Sequence, residues 1–248
     1  MAGAGVKWPS SDGVPSLAAD DVHVWAAALD PAPARLASLA ALLSPDERDR
    51  SERFRFPGLR TRFTAARGHL RALLGNYLQL DPARLEFACH SRGKPSLTGP
   101  GAGQIHFNLA HSEDLALIAV TRAGEVGVDV ERIRPMPDGE AIAERFFSTR
   151  EIEAFRRVPA AARDAAFFSL WTRKEAWLKA TGDGIAESLA KIEVAFLPGE
   201  TPRVLAIAGD AAAGEAWSLC PLNPASGFVG ALAIRCRRVQ LQCWCAPR

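Results

Sequence analysis

Apolar positions change their spacing several times along the chain, and each change predicts an element. "VHVWAAAL" (Val22 to Leu29) reads as a first strand. "SPDERDRSERF" opens a helix, with Ser44 as cap, Pro45 at the first helical position and Glu47 three residues on, a capping box. From about Arg60 to Leu78, Phe63, Ala66, Leu70, Leu73 and Tyr77 fall on one face at helical spacing. "LEFAC", "IHFNLAHS", "LALIAVT" and "VGVDVE" predict strands, "SRGKPSL" a turn-rich loop and "RAGE" a turn. Two prolines and a glycine in "RIRPMPDG" then break the pattern. Beyond them "EAIAERFF" and "STREIEAFRR" read as helices, the second capped by Ser148 with Glu151 at its third position. "DAAFFSLWTRKEAWLKATG" is the strongest helix, ending at Gly182. "IEVAF", "RVLAIA", "AWSLCPL", "FVGALAI" and "VQLQCW" are strand-like.

Helices followed by several strands, twice over, predict an α+β fold with two subdomains meeting near residues 124 to 138. The expected division is a loose N-terminus over 1–17, a first subdomain over 18–124 and a second over 125–248. The chain's 248 residues, 48% of them hydrophobic, suffice for such a pair with a substantial core. A net charge of +2 gives no global field that points to nucleic acid or to a membrane. The basic charge is local, with six arginines and no acid between Arg53 and Arg71. The N-terminus lacks the apolar segment of a signal peptide, and no apolar run approaches the ~18 residues of a membrane span. Five cysteines, Cys89, Cys220, Cys236, Cys243 and Cys245, match no zinc or redox spacing and read as reduced thiols of a cytoplasmic protein.

"GVDVE" (127 to 131) raises the chemical question. On a strand Val128 and Val130 share one face, and Asp129 and Glu131 the other. The ordinary reading is a solvated face. Ionising two neighbouring acids needs a cation, and oxygen ligands suit magnesium. In the strongest helix Phe168, Trp171, Glu175 and Lys179 lie on one stripe. A surface Glu–Lys pair does not ordinarily sit in line with two large aromatics, so the stripe reads as the wall of a site.

Together these residues carry a resemblance. "GVDVE" followed by "WTRKEAWLK" resembles the paired signature of the Sfp-type 4'-phosphopantetheinyl transferases, G-[IV]-D-[IVL]-E and W-[ST]-x-K-E-[AS]-x-x-K. "LLSPDERDRSERFRF", "RGKPSL" and "FNLAHSEDLALIAV" resemble three further family stretches, in the same order, from about Leu43 to Gly184. Ala110 stands where the family usually has Ser, and Glu113 where it often has Gly.

The resemblance implies two similar α/β subdomains related by a pseudo-twofold, with the active site in the cleft between them. It implies transfer of the phosphopantetheine arm of coenzyme A to a serine of an acyl or peptidyl carrier domain. The carriers would belong to fatty acid, polyketide or nonribosomal peptide synthases, and the protein would be a monomer. Asp129, Glu131 and Glu175 would hold Mg2+, Lys179 would stabilise the leaving phosphate and Glu175, or a water it orients, would be the base. His111 would read the 3'-phosphate of coenzyme A. Arg92, Gly93, Lys94 and Pro95 of the G-K-P loop, Ala110, Lys174, and Arg48, Arg50 and Arg67 would complete the coenzyme A site. Arg67 faces inward on the wheel, whereas Arg60 and Arg71 read as a solvated helix face. A non-catalytic coenzyme A binder would not need Glu175 and Lys179 together. A different magnesium phosphotransferase would want a Walker-type loop, which the sequence lacks.

Overall fold

The protein is described by a computed structural model over residues 8–11, 13–89, 94–182 and 189–247. These residues fall into two compact units, one of 8–122 with 241–247 and the other of 123–240.

The first unit contains β1 (Asp21–Ala28), α1 (Pro33–Ala41), α2 (Pro45–Glu52), α3 (Pro57–Leu78), β2 (Glu86–Cys89), β3 (Pro95–Thr98), β4 (His106–Ser112) and β5 (Leu115–Thr121). Its main sheet is completed by β11 (Gln240–Cys245), in the order β11-β1-β5-β4. β1 and β5 pair antiparallel with Val24 opposite Ala119. Trp25 and Ala27 of β1 pack with Leu70, Leu73 and Leu74 of α3 to form the core. α1 crosses α3 at Gly68, where an added Cβ would lie 2.5 Å from the Leu39 Cβ, so only glycine permits the approach.

Tyr77 gathers two polar groups of this core. The Tyr77 hydroxyl accepts a hydrogen bond from Trp25 Nε1 at 2.9 Å and stands 2.7 Å from His23 Nδ1. From β11, Trp244 stacks on Trp25 and meets His23 edge-on, with ring centroids 5.1 and 4.7 Å apart.

The second unit contains β6 (Val126–Arg132), α4 (Gly139–Phe146), α5 (Thr149–Arg156), α6 (Ala160–Thr181), β7 (Ile192–Val194), β8 (Val204–Ile207), α7 (Ala211–Gly214), β9 (Ser218–Leu222) and β10 (Phe228–Ile234). The strands pair as β6-β10-β9 and β7-β8. Phe147, Phe155, Phe167, Phe168 and Trp177 build its core with Ala231 and Ala233 of β10. α6 ends at Gly182, whose φ of 76° is the left-handed cap that glycine adopts without strain.

Four readings of the sequence change. α1 was not anticipated from "PARLASLAA", and α3 and α6 begin at Pro57 and Ala160, earlier than their apolar stripes suggest. "PSL" forms strand β3 opposite β2, where a loop was expected. The described residues between 8 and 17 are tied down in part, since Cys245 N–H donates to the Pro9 carbonyl at 2.9 Å; residues 1–7 and 12 lie outside those described. Residues 241–247, counted with the second half from sequence, join the first unit's sheet, and the two units divide between residues 122 and 123.

Candidate active site

In the second unit, β6 turns Asp129 toward α6 rather than to water. Gly127 precedes it on the same face. A Cβ there would fall 2.0 Å from the Ala176 carbonyl oxygen and 2.4 Å from the Ala180 nitrogen, so helix and strand meet backbone to backbone. The next residue on that face, Asp129, is thereby only 5% exposed. Its Oδ1 accepts from Lys179 Nζ at 2.6 Å. Glu175, one turn before Lys179, is 6% exposed. Asp129 Oδ2 and Glu175 Oε1 are buried with no hydrogen-bond partner among the described residues.

The electrostatics follow from this crowding. Burial pushes the Asp129 carboxyl up to about 6, with Lys179 opposing and Glu131 adding to the rise. Burial, then the charge of Asp129, pushes Glu175 up to about 7, with Lys179 opposing and Glu131 adding to the rise. Glu131 is more open and lies 3.5 Å from Arg134. The solvated-face reading thus fails for Asp129 and holds in part for Glu131.

Among the described residues no group of three His, Cys, Asp or Glu side chains is arranged to hold a metal ion. The Lys179 ammonium takes one oxygen of Asp129, and Glu131 leans toward Arg134. Two expectations for this unit need correction, those for Lys174 and for the aromatics Phe168 and Trp171. Lys174 is fully buried, with Nζ 2.6 Å from Glu151 Oε2 and donating to the carbonyls of Leu189 and Ile192, so it has no face to offer a ligand. Burial opposes charge on both partners, raising the Glu151 pKa and lowering that of Lys174. Trp171 packs against Phe146, Phe147 and Phe167, and Phe168 is 2% exposed, so the aromatics of the stripe belong to the core.

The first unit holds a cavity of about 870 Å3. Arg50, Arg67, Pro95 and His111, all read as candidates from sequence, line it, together with Arg62 and Phe87. Glu47 organises its basic wall. Its Oε1 accepts from Arg67 Nε at 2.6 Å and also from Arg67 Nη2, and its Oε2 accepts from Arg71 Nε at 2.5 Å. Oε2 also accepts from the Ser44 N–H at 3.1 Å, the capping contact expected from sequence. Burial alone would raise the Glu47 pKa; the hydrogen bond from Arg71 and the charge of Arg67 outweigh it and hold the carboxyl below its usual value. Arg67 and Arg71 lie over the Phe87 ring at 4.6 and 5.1 Å.

Arg71 is therefore not solvated but 2% exposed, donating also to the carbonyls of Pro82 and Leu85. Arg48 lies outside the cavity lining, exposed, with Nη2 donating to the Ala41 carbonyl at 3.2 Å. Ala110 is buried and Lys94 half-buried, and neither lines the cavity. Arg92 and Gly93 lie outside the described residues. Glu113 has φ 51° in the β4–β5 turn, a left-handed position that glycine favours, and its carboxylate lies 3.4 Å from Arg62. Sequence reasoning missed Arg62, Phe87 and the second role of Glu47; the capping box was the available signal, and it explained Glu47 too completely.

Comparison with known proteins decides the family. Residues 125–233 match the family described as the 4'-phosphopantetheinyl transferase superfamily, and residues 27–123 match the one described as 4'-phosphopantetheinyl transferase, N-terminal. The chain is 46% identical over 220 residues to the 4'-phosphopantetheinyl transferase HetI of Nostoc sp., spanning 88% of this chain and 90% of that protein. The chain belongs to the 4'-phosphopantetheinyl transferase superfamily. This transferase is also 36% identical over 156 residues to the 4'-phosphopantetheinyl transferase psf-1 of Bacillus pumilus, spanning 63% and 65% of the two chains. With Sfp of Bacillus subtilis it shares 27% identity over 154 residues, spanning 62% and 66%. No described helix of the transferase is long and apolar enough to cross a membrane.

Proposed function

We propose that the transferase moves the 4'-phosphopantetheine arm of coenzyme A onto a serine of acyl or peptidyl carrier domains, releasing adenosine 3',5'-bisphosphate. The observation that carries this reading is the buried set of Asp129, Glu175 and Lys179, whose two unpartnered carboxylate oxygens require a cationic or protonic partner. In the reaction the serine oxygen forms a bond to the β-phosphorus of coenzyme A. The pyrophosphate P–O bond breaks, and the bisphosphate leaves with the electron pair. Glu175, in its carboxylate form, receives the serine proton. Lys179 offers its ammonium to the charge that develops on the leaving oxygen.

The donor set fits a hard divalent cation. Asp129 Oδ2 and Glu175 Oε1 would hold Mg2+, with Glu131 as a further oxygen ligand. When bound, the ion supplies neutralisation of the pyrophosphate charge. Within the first unit, the basic wall of the cavity suits a phosphate-bearing nucleotide. Arg50, Arg62, Arg67 and His111 supply positive or hydrogen-bonding groups, and Phe63 and Phe87 supply flat apolar surface for a base. Lys94, Arg92 and Gly93 of the G-K-P loop belong to the same proposal through the family resemblance, as does monomeric, cytoplasmic action on fatty acid, polyketide or nonribosomal peptide carriers.

Intact mass of an apo carrier domain after incubation with coenzyme A, Mg2+ and the transferase tests the activity. One phosphopantetheine per carrier is expected; carriers from all three pathways staying apo would overturn it. For His111, coenzyme A and its 3'-dephospho form are compared on wild type and His111→Ala. A charge-assisted hydrogen bond predicts roughly 10- to 150-fold weaker binding of coenzyme A, with the dephospho form little changed. Equal weakening of both would remove His111 from the 3'-phosphate.

A further inference from the structure

The second unit carries another cavity, of about 550 Å3, on the side of α6 away from Glu175 and Lys179. Its floor is one stripe of α6. Ala162, Ala165, Ala166 and Ser169 recur at three- and four-residue spacing, and the stripe ends at Arg173. Glu175 is two residues further, about 200° around the helix, so the two sites occupy opposite faces. The facing wall is the loop from Phe196 to Pro202, with Pro221 of β9 beside it.

Arg173 does not belong in such a place without a partner. It is 8% exposed, and its hydrogen bond among the described residues runs from Nη1 to the Ala195 carbonyl. A guanidinium has five N–H donors, and the one bond to Ala195 leaves most of them open to water or to a ligand. Its other nitrogens are not sealed off in the interior, and Arg173 itself lines the cavity. Burial depresses its pKa to about 10, against the raising field of Glu200. Glu200 does not close an ion pair with it. Glu200 Oε2 is instead taken by the N–H groups of Phe196 and Leu197, at 3.2 and 3.1 Å, which folds the wall of the cavity.

A cationic end and a body lined by alanine and proline call for a ligand with the same division. The volume lies within the usual range for small-molecule sites, roughly 300 to 1,000 Å3. A phosphate dianion would lose its water against apolar walls and meet the field of Glu200. A monoanion with an apolar body satisfies both ends. We infer that the cavity between the Ala162–Arg173 stripe of α6 and the 196–202 loop binds a monocarboxylate with a short apolar body, its carboxylate on Arg173.

The test uses the full chain and three probes, hexanoate, 1-hexanol and inorganic phosphate, measured by isothermal titration calorimetry and by thermal shift. Hexanoate should bind, and the other two far more weakly. Arg173→Gln keeps a donor for the Ala195 carbonyl and should weaken hexanoate roughly 10- to 150-fold, the value of a charge-assisted hydrogen bond. Ala165→Trp fills the cavity from an exposed helix position, leaves Arg173 in place, and should abolish binding even if Arg173→Gln folds poorly. Hexanoate bound equally by wild type and Ala165→Trp would place it elsewhere, such as the first unit's basic cavity, and would overturn the inference. So would equal binding of hexanoate and hexanol, or no hexanoate heat at millimolar concentration. None of these readouts depends on transfer activity, so they stand or fall apart from the proposed reaction.

Discussion

Lys179 Nζ lies 2.6 Å from Asp129 Oδ1, joining the last full turn of α6 to the middle of β6. The ammonium is the counter-charge that lets a nearly buried carboxylate ionise at all.

Lys179→Met should therefore strand Asp129 and drive its carboxyl above the present value of about 6. A folded pKa above the unfolded one penalises the ionised form, so the variant loses stability as pH rises and recovers it as pH falls. A loss of about 1 to 2 kcal/mol relative to wild type is expected at pH 8, shrinking by pH 5. Urea unfolding at both pH values checks this. Adding Asp129→Asn to Lys179→Met should restore stability at pH 8 without restoring carrier modification.

Glu175→Gln should slow transfer by about 10²- to 10⁴-fold if Glu175 takes the serine proton. Its stability should move the other way. In wild type the unfolded chain ionises Glu175 near 4.5 while the folded chain holds the proton to about 7, so stability falls across that window. Without divalent cation, the Gln variant should be flatter over pH 4.5 to 7 and more stable at pH 8 by about 2 to 3 kcal/mol. Denaturation curves and rates are measured on the same preparations. A near-normal rate in a folded variant would remove Glu175 from the chemistry.

Glu47→Gln should loosen Arg67 and Arg71 together, since both lean on one carboxylate. The expected outcome is a loss of about 2 to 4 kcal/mol in stability and weaker coenzyme A binding, read by calorimetry. The Glu47 pKa is depressed in the fold, so its stabilisation is present above about 4.5 and is lost as pH falls through the lower folded value. The variant should lack that part of the acid transition.

His69, 4% exposed on α3, should set another part of the acid limit. Burial, with the Arg35 charge adding, lowers its pKa to about 4. The unfolded chain takes up a proton below about 6.5 and the folded chain does not, so stability is lost between about 6.5 and 4, by about 3 kcal/mol. His69→Gln should show a shallower pH slope in that window by urea titration.

The strands, the long helices and the acids on β6 were legible because each is a local pattern: alternation, a stripe or a motif. Partners across elements were not. Glu47 and Glu151 each read as capping-box glutamates, and each does cap, with Ser44 and Ser148 donating to them. Each also serves as the buried counter-ion of a cation on its unit's longest helix, Arg71 on α3 and Lys174 on α6. A complete local explanation hides the second role, which is why the sequence alone points Arg71 to solvent and Lys174 to a ligand. The division between units was misplaced at its far end for a related reason: "VQLQCW" announces a strand but not the sheet that receives it.

That last strand carries a consequence for synthesis. β1 lies inside the first sheet because β11 covers its other edge, and Trp244 of β11 closes over Trp25 and His23. A growing chain folds as it leaves the ribosome, and early domains ordinarily finish first. Here the early unit cannot finish first. Until residue 245 has been translated, β1 is an open edge with an uncovered tryptophan, the kind of surface that pairs with other chains. β11 is made after every strand of the second unit, so a chain stopped short of it leaves that edge of β1 open.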